Sequence, residues 1–107
     1  MSALLELAER CEAATGPDTE LDRCLFAVLR GVERDRVTGP MDFPATASID
    51  AALTLVPEGA SYDLRTAQTA PGALAMIHPT RMRPTVTVRG NTPALAICAA
   101  ALRARDA

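Results

Sequence analysis

The sequence predicts an α+β domain in which a three-stranded antiparallel meander lies between helical layers, as an α/β/α sandwich. Three observations support this fold class. Apolar residues first recur at spacings of three and four, then alternate with polar residues over two short segments that flank a continuous apolar one, and finally fill an alanine-rich run near the end. Short connections join the strand segments, which favours antiparallel pairing of neighbours. The predicted order is α-α-α-β-β-β-α in a single domain of 107 residues.

The first two elements are predicted to be helices that form a hairpin over residues 2–30. Gly16 and Pro17 end the first helix, Pro17 suits the first helical position of the second, and Gly31 ends the second. Asp18 and Glu20 lie in the first turn of the second helix, where carboxylates interact favourably with the free amides. The predicted apolar stripes are Leu4, Leu7, Ala8, Cys11 and Ala14 in the first helix, and Leu21, Cys24, Leu25, Val28 and Leu29 in the second.

Residues 31–47 show no sustained apolar period and are predicted to form a long loop. Pro40 and Pro44 interrupt any regular element in this segment. A connection of this length inside a compact domain is usually functional or disordered. We therefore expect a partner-binding surface within residues 32–45, with Arg34, Arg36 and Phe43 as candidate contact residues.

Residues 48–105 are predicted to form an αβββα unit. Ser48 is a candidate N-cap for a short helix over 49–56, and Thr92 with Pro93 begins the last helix. The three strands are predicted at 62–65, 73–78 and 85–89. The middle strand, ALAMIH, is apolar at both alternating sets of positions, which is typical of a strand covered on both faces.

Three segments of the chain together resemble the phage ABA sandwich domain: LLELAERCEAATGPDTELD at 4–22, TASIDAALTLVPEG at 46–59 and TPALAICAAALRARDA at 92–107. The resemblance covers both ends and the middle, and its specificity lies in the ordered combination. It implies a small protein of phage or prophage origin with a sheet between two helical layers. It implies no activity and no catalytic residue. Residues 31–45 and 68–85 depart from the family pattern, so a specialised function is expected there.

Composition argues against nucleic acid and membrane partners. The net charge is −2, all basic residues are arginines, and the aromatic residues are only Phe26, Phe43 and Tyr62. The αβββα order is similar to that of double-stranded RNA-binding domains, but the last helix opens with Asn91-Thr92-Pro93-Ala94 and brings no positive charge to phosphates. No apolar run approaches the roughly 18–20 residues of a membrane span. Met1–Cys11 resembles no secretion signal, so a cytoplasmic location is expected.

The residues with reactive side chains are few. Cys11, Cys24 and Cys98 lie on apolar helical stripes, so buried reduced thiols are expected. Their spacing fits no metal site, and no glycine-rich phosphate loop is present, so no metal and no cofactor are expected. His78 precedes the connection that carries Arg81 and Arg83, and these three residues could form a positive rim for an anionic partner. The competing interpretation is a solvated turn that keeps the sheet edges soluble.

Three functional hypotheses follow from these observations. The first is a non-catalytic phage or prophage accessory protein that binds a host or phage protein, with inhibition of a host defence system, in the manner of anti-CRISPR proteins, as one subclass. The second is sequestration of a small anionic ligand such as a nucleotide. The third is a small hydrolase that uses His78 and a thiol. A homodimer through the strand edges also stays open.

Overall fold

The computed structural model describes residues 3–39, 42–66, 72–79 and 84–106. Together these residues form an α+β fold with a three-stranded antiparallel sheet, which confirms the predicted α+β class, the antiparallel meander and the order of the elements. A short 3₁₀ helix at Arg34–Arg36 follows the second helix. The remaining elements are α1 (Ala3–Ala13), α2 (Thr19–Arg30), α3 (Ile49–Leu53), β1 (Ser61–Thr66), β2 (Ala73–His78), β3 (Val86–Gly90) and α4 (Pro93–Asp106).

Side-chain caps set the starts of three helices. The Ser48 hydroxyl accepts from the Ala51 amide at 3.3 Å, and the Thr92 hydroxyl accepts from the Leu95 amide at 3.2 Å, as the sequence predicts. The second helix starts later than Pro17, because the Asp18 carboxylate caps it by accepting from the Leu21 amide at 3.1 Å. Helix α3 is shorter than predicted, since residues 54–56 continue it with tighter backbone hydrogen bonds that span three residues.

One face of the sheet packs on α4, which contacts all three strands. On this face Ala75 lies between Leu64 and Val88 in the strand register, and Ala75 and Val88 are buried. Helices α1 and α3 pack against α4. The Arg103 guanidinium on α4 also donates to the Glu12 carboxylate on α1 at 2.6 Å.

The second face of the sheet differs from the sequence prediction that helices cover both sides of β2. Ala73, Ala75 and Ile77 are buried, whereas the alternate residues Leu74, Met76 and His78 are only half-buried. The register places Leu74 between Arg65 and Arg89. The methylene groups of these two exposed arginines can shield Leu74 without a helix over it. A strand apolar on both sides therefore does not require two helical layers.

The core is built around α4, whose alanines let neighbouring elements approach closely. All residues from Ala94 to Leu102 are buried. One such close approach is at the end of β3, where a β-carbon on Gly90 would lie 2.7 Å from the Ala96 backbone nitrogen and 2.8 Å from its α-carbon. Only glycine fits at position 90 without a shift of α4 or β3.

The segment after α2 is joined to that helix by a buried polar residue, Thr46, which is 1% exposed. Its hydroxyl accepts from the Asp18 amide at 2.8 Å and donates to the Asp22 carboxylate at 2.8 Å. The Thr46 amide donates to the same Asp22 oxygen at 2.8 Å. The Arg23 guanidinium adds a second link by donating to the Gly39 carbonyl at 2.9 Å. These hydrogen bonds hold the segment against α2.

Candidate functional site

Three adjoining cavities surround the side chain of Val32, which follows α2. Their volumes are about 370, 510 and 460 Å³, and Val32 lines all three. Val32 is 46% exposed, which makes it one of the few large apolar side chains on the surface of the described residues. We call this surface the Val32 groove. Its apolar lining includes Leu4, Leu7, Cys24, Phe26, Ala27, Val28, Val32 and Val37, and its charged lining consists of Glu6, Arg10, Arg30, Glu33, Arg34, Arg36, Asp42 and Arg105.

The end of α2 holds Val32 in this exposed position. Gly31 adopts a left-handed conformation with φ of 70°, which residues with a β-carbon rarely adopt. Its amide donates to the Val28 carbonyl at 3.2 Å, and the Val32 amide donates to the Ala27 carbonyl at 3.0 Å. This pair of hydrogen bonds is the Schellman ending of a helix, and it turns the chain so that Val32 lies beside the last turn of α2.

The apolar lining of the groove comes from residues predicted as core. Leu4, Cys24 and Val28 lie on the predicted stripes of the first two helices, yet the structure leaves them half-buried. Helix α1 makes its main contacts with α4 and far fewer with α2. The side chains of α1 and α2 therefore leave a gap between the two helices, and the apolar side chains on both sides of this gap line the first cavity.

Arg34 fixes the turn beside Val32 through a two-point ion pair. Its Nε and Nη2 atoms donate to the two Glu20 carboxylate oxygens at 2.6 and 2.7 Å, and Nη1 donates to the Val37 carbonyl at 3.1 Å. The side-chain hydrogen bonds from Arg34 lower the pKa of Glu20 from 4.5 to about 2. Arg34 lines the first cavity, but its charge is already matched, so its main role there is to position the turn.

Replacing Arg34 by glutamine is expected to raise the pKa of Glu20 from about 2 towards its ordinary value of 4.5, since the largest lowering effect, the hydrogen bonds from Arg34, is removed. Because the folded-state pKa is depressed, the stability contributed by this pair is present above pH 4.5 and is lost as the pH falls towards 2. Carbon-detected NMR titration of the Glu20 carboxyl group measures this pKa directly. A midpoint near 4.5 in the wild-type protein would contradict the geometry of the pair.

The other groove arginines differ in how fully they are engaged. Arg30 lies over the Phe26 ring at 5.7 Å, and Arg105 donates to the Leu55 carbonyl at 2.7 Å. Within the described residues, the Arg10 guanidinium has one hydrogen-bond partner, the Cys24 sulfur at 3.9 Å. Arg36 is exposed, and its guanidinium forms no hydrogen bond or ion pair within the described ranges. Arg10 and Arg36 are therefore the groove cations best able to receive an additional carboxylate.

Phe43 lies behind the groove and not on its surface. It is 9% exposed, and its ring packs against that of Phe26 with a centroid separation of 5.5 Å and an interplanar angle of 57°. Phe26 in turn lines the third cavity together with Arg36. Of the loop residues predicted as contacts, the structure thus brings Arg34 and Arg36 to the Val32 groove, and Phe43 supports it from below.

His78 lies at a different place, at the end of β2 on the open face of the sheet. Its Nε2 atom is 3.3 Å from the Asp63 carboxylate, and its Nδ1 atom is 3.2 Å from the Thr85 hydroxyl. None of the sheet residues lines the three cavities of the Val32 groove. Arg81 and Arg83 lie outside the described residues. The predicted positive rim of His78 and these two arginines therefore stays a prediction.

The three cysteines are free thiols with different surroundings. Burial raises the pKa of Cys11 to about 12 and that of Cys98 further. Cys24 is half-buried, and burial also raises its pKa. The hydrogen-bond partners of His78 in the described part of the chain are Asp63 and Thr85, so the structure pairs the imidazole with no thiol. No group of three His, Cys, Asp or Glu side chains in these ranges could hold a metal ion.

The chain matches no protein-family model, no curated protein and no solved structure. The resemblance to the phage ABA sandwich domain stays a prediction that rests on the three quoted segments. Within the part of the chain that the structure describes, no helix combines the length and apolar character needed to cross a membrane.

Proposed function

We propose that this protein acts without catalysis, by binding a protein partner through the Val32 groove. The observation that carries the proposal is the position of Val32, which is 46% exposed where three cavities meet. Burial of apolar surface contributes roughly 25 cal/mol per Å² to association, so a partner that covers this side chain gains free energy. Contiguous apolar surface with a polar rim is typical of interaction sites.

The chemistry of the groove favours a protein over a small anion. A nucleotide site would need cations available for phosphate and an aromatic face for the base. The two available arginines, Arg10 and Arg36, line different cavities and so form no shared phosphate site, and Glu20 already matches the charge of Arg34. Phe26 is in contact with both Arg30 and Phe43. A protein segment needs neither feature, because its side chains can fill several small cavities at once. Sequestration of a small anion is the weaker alternative.

The biological setting of the proposal comes from the sequence resemblance. It supports an accessory protein of phage or prophage origin that acts in the cytoplasm of a bacterial host. Inhibition of a host defence system is the subclass that we propose for such a partner-binding protein. A plating assay tests this setting: expression of the wild-type protein should raise phage plating on a strain that carries the targeted defence system, and Val32→Glu should abolish the increase.

Quantitative affinity capture from bacterial cells tests the binding function. The bait proteins are the wild type, Val32→Glu and the matched control Ile49→Glu, which alters a 39% exposed side chain on α3 that lines none of the three cavities. We expect a partner that the wild type and the control retain equally and that Val32→Glu loses at least tenfold. Equal capture by all three baits, with every bait folded by circular dichroism, would overturn the assignment to this groove.

A further inference from the structure

We infer that the Val32 groove recognises an acidic, apolar peptide segment, in which an apolar side chain covers Val32 and carboxylates on either side of it pair with Arg10 and Arg36. This inference rests on the proposed function and specifies its partner. Val32 lines both the cavity that contains Arg10 and the cavity that contains Arg36, so a segment that covers Val32 lies between the two arginines.

The charge of the groove supports an acidic partner. Five arginines and three carboxylates line the three cavities, and Glu20 matches the charge of Arg34, so the groove with this partner carries a net charge of +1 on a chain whose total is −2. The rest of the molecule is therefore more acidic than the whole, and it repels the segment that the groove attracts. Such complementarity sets the orientation and the choice of partner more than it sets total affinity.

The two arginines differ from their neighbours in being available. Glu20 occupies two donors of Arg34, whereas the one hydrogen-bond partner of the Arg10 guanidinium in the described part of the chain is the Cys24 sulfur at 3.9 Å. Arg36 is exposed and has no polar side-chain partner within the described ranges. A carboxylate can bond to two donors of a guanidinium at once, which gives both direction and strength to the pairing. The groove can therefore recognise a segment that carries one carboxylate on each side of the residue that covers Val32.

The apolar part of the segment has matching cavities. The first cavity, of about 370 Å³, is lined by Leu4, Leu7 and Val28, and the second, of about 510 Å³, shares Leu4 and Val28 with it. Adjoining apolar cavities suit successive anchor side chains of one peptide, as in the binding of amphipathic segments to grooves. The Schellman ending of α2 holds the central side chain in place before binding.

Selection from a yeast-displayed library of random 14-residue peptides tests this inference on the intact wild-type protein. Binding of the selected peptides is then measured by fluorescence polarisation against Val32→Glu, against Arg10→Gln combined with Arg36→Gln, and against a charge-matched control. The control combines Arg65→Gln with Arg89→Gln, two exposed arginines on the open face of the sheet that line none of the cavities. Thermal melting verifies that each variant is folded.

We expect the selected peptides to carry a net negative charge around an apolar centre. The groove double variant should bind them at least tenfold more weakly, the control should bind within twofold of the wild type, and affinity should fall with added salt. Neutral or basic peptides, or equal binding by the groove double variant, would overturn the inference. If Val32→Glu abolished the binding of such peptides, the proposed function would stand and the acidic character of the partner would be overturned. If the library yields no binding peptide, or if Val32→Glu binds the selected peptides as tightly as the wild type does, both this inference and the proposed function are overturned.

Discussion

Replacement of Gly90 by alanine is expected to lower the free energy of unfolding by about 3 kcal/mol, at the upper end of the usual cost of overpacking. The added β-carbon would lie 2.7 Å from the Ala96 nitrogen and 3.1 Å from the Ala96 β-carbon. Two of its three nearest atoms belong to the backbone of α4, so no side-chain rotation relieves the contact. The end of β3 or the start of α4 must move, and both belong to the core.

Urea denaturation monitored by circular dichroism measures this effect, and the melting temperature should fall by roughly 10–20 °C. Gly16→Ala is the matched control, because a β-carbon on Gly16 meets no atom within 4 Å and its backbone is not left-handed. It should change stability by less than about 0.5 kcal/mol. Equal stability of the two variants would show that β3 and α4 are not packed as closely as described.

Replacement of Thr46 by valine is expected to lower the free energy of unfolding by about 2 kcal/mol. Valine keeps the shape of threonine but removes the hydroxyl. The Asp18 amide then loses its acceptor, and the Asp22 carboxylate loses one of its two donors from residue 46. Because Thr46 is 1% exposed, water cannot replace these hydrogen bonds without opening the structure.

Thr46→Ser provides the control for this prediction. Serine keeps the hydroxyl and loses one methyl group, so its cost should be only about 1 kcal/mol. Chemical denaturation of the two variants side by side separates the hydrogen bonds from the packing. A serine variant as unstable as the valine variant would contradict the role given to the hydroxyl.

Local sequence signals predicted the elements well. Strand β2 has the predicted bounds, Ala73–His78, and Thr92 caps α4 as expected. The start of α2 was predicted too early, because Asp18, expected in the first turn of the helix, is its N-cap. The contacts of Thr46 could not be predicted, since its partners lie 24 and 28 residues away and no periodicity records such distances.

The candidate site was predicted only in part. The irregular segment after α2 drew attention to Arg34 and Arg36, and the structure places both of them in the lining of the groove. Helical spacing placed Cys24 and Val28 on an apolar stripe, but spacing alone does not tell which stripe residues a neighbouring helix will cover. That depends on the angle between α1 and α2, which is a tertiary property. A position for Val32 beside the end of α2 could have been suspected, because an apolar residue directly after a helix-ending glycine often packs against the last turn of that helix.

In the sheet, too, the spacing of apolar residues does not tell which positions a helix will cover. The alternating apolar residues of ALAMIH suggested that both faces of β2 are covered, whereas arginines of β1 and β3 flank Leu74. The pairing of His78 with Asp63 follows from the antiparallel register, in which Ser61 lies opposite His78. Such a diagonal contact between neighbouring strands can be anticipated once the register is known.

The most direct test of the account is site-specific photocrosslinking in bacterial cells. A benzophenone side chain is placed either at Val32 or at Tyr62, which have nearly equal exposures of 46% and 48% but lie on different surfaces. The account predicts that light-dependent crosslinking to a second protein occurs at position 32 and not at position 62. Crosslinking at position 62 alone, or equally at both positions, would contradict the assignment of partner binding to the Val32 groove.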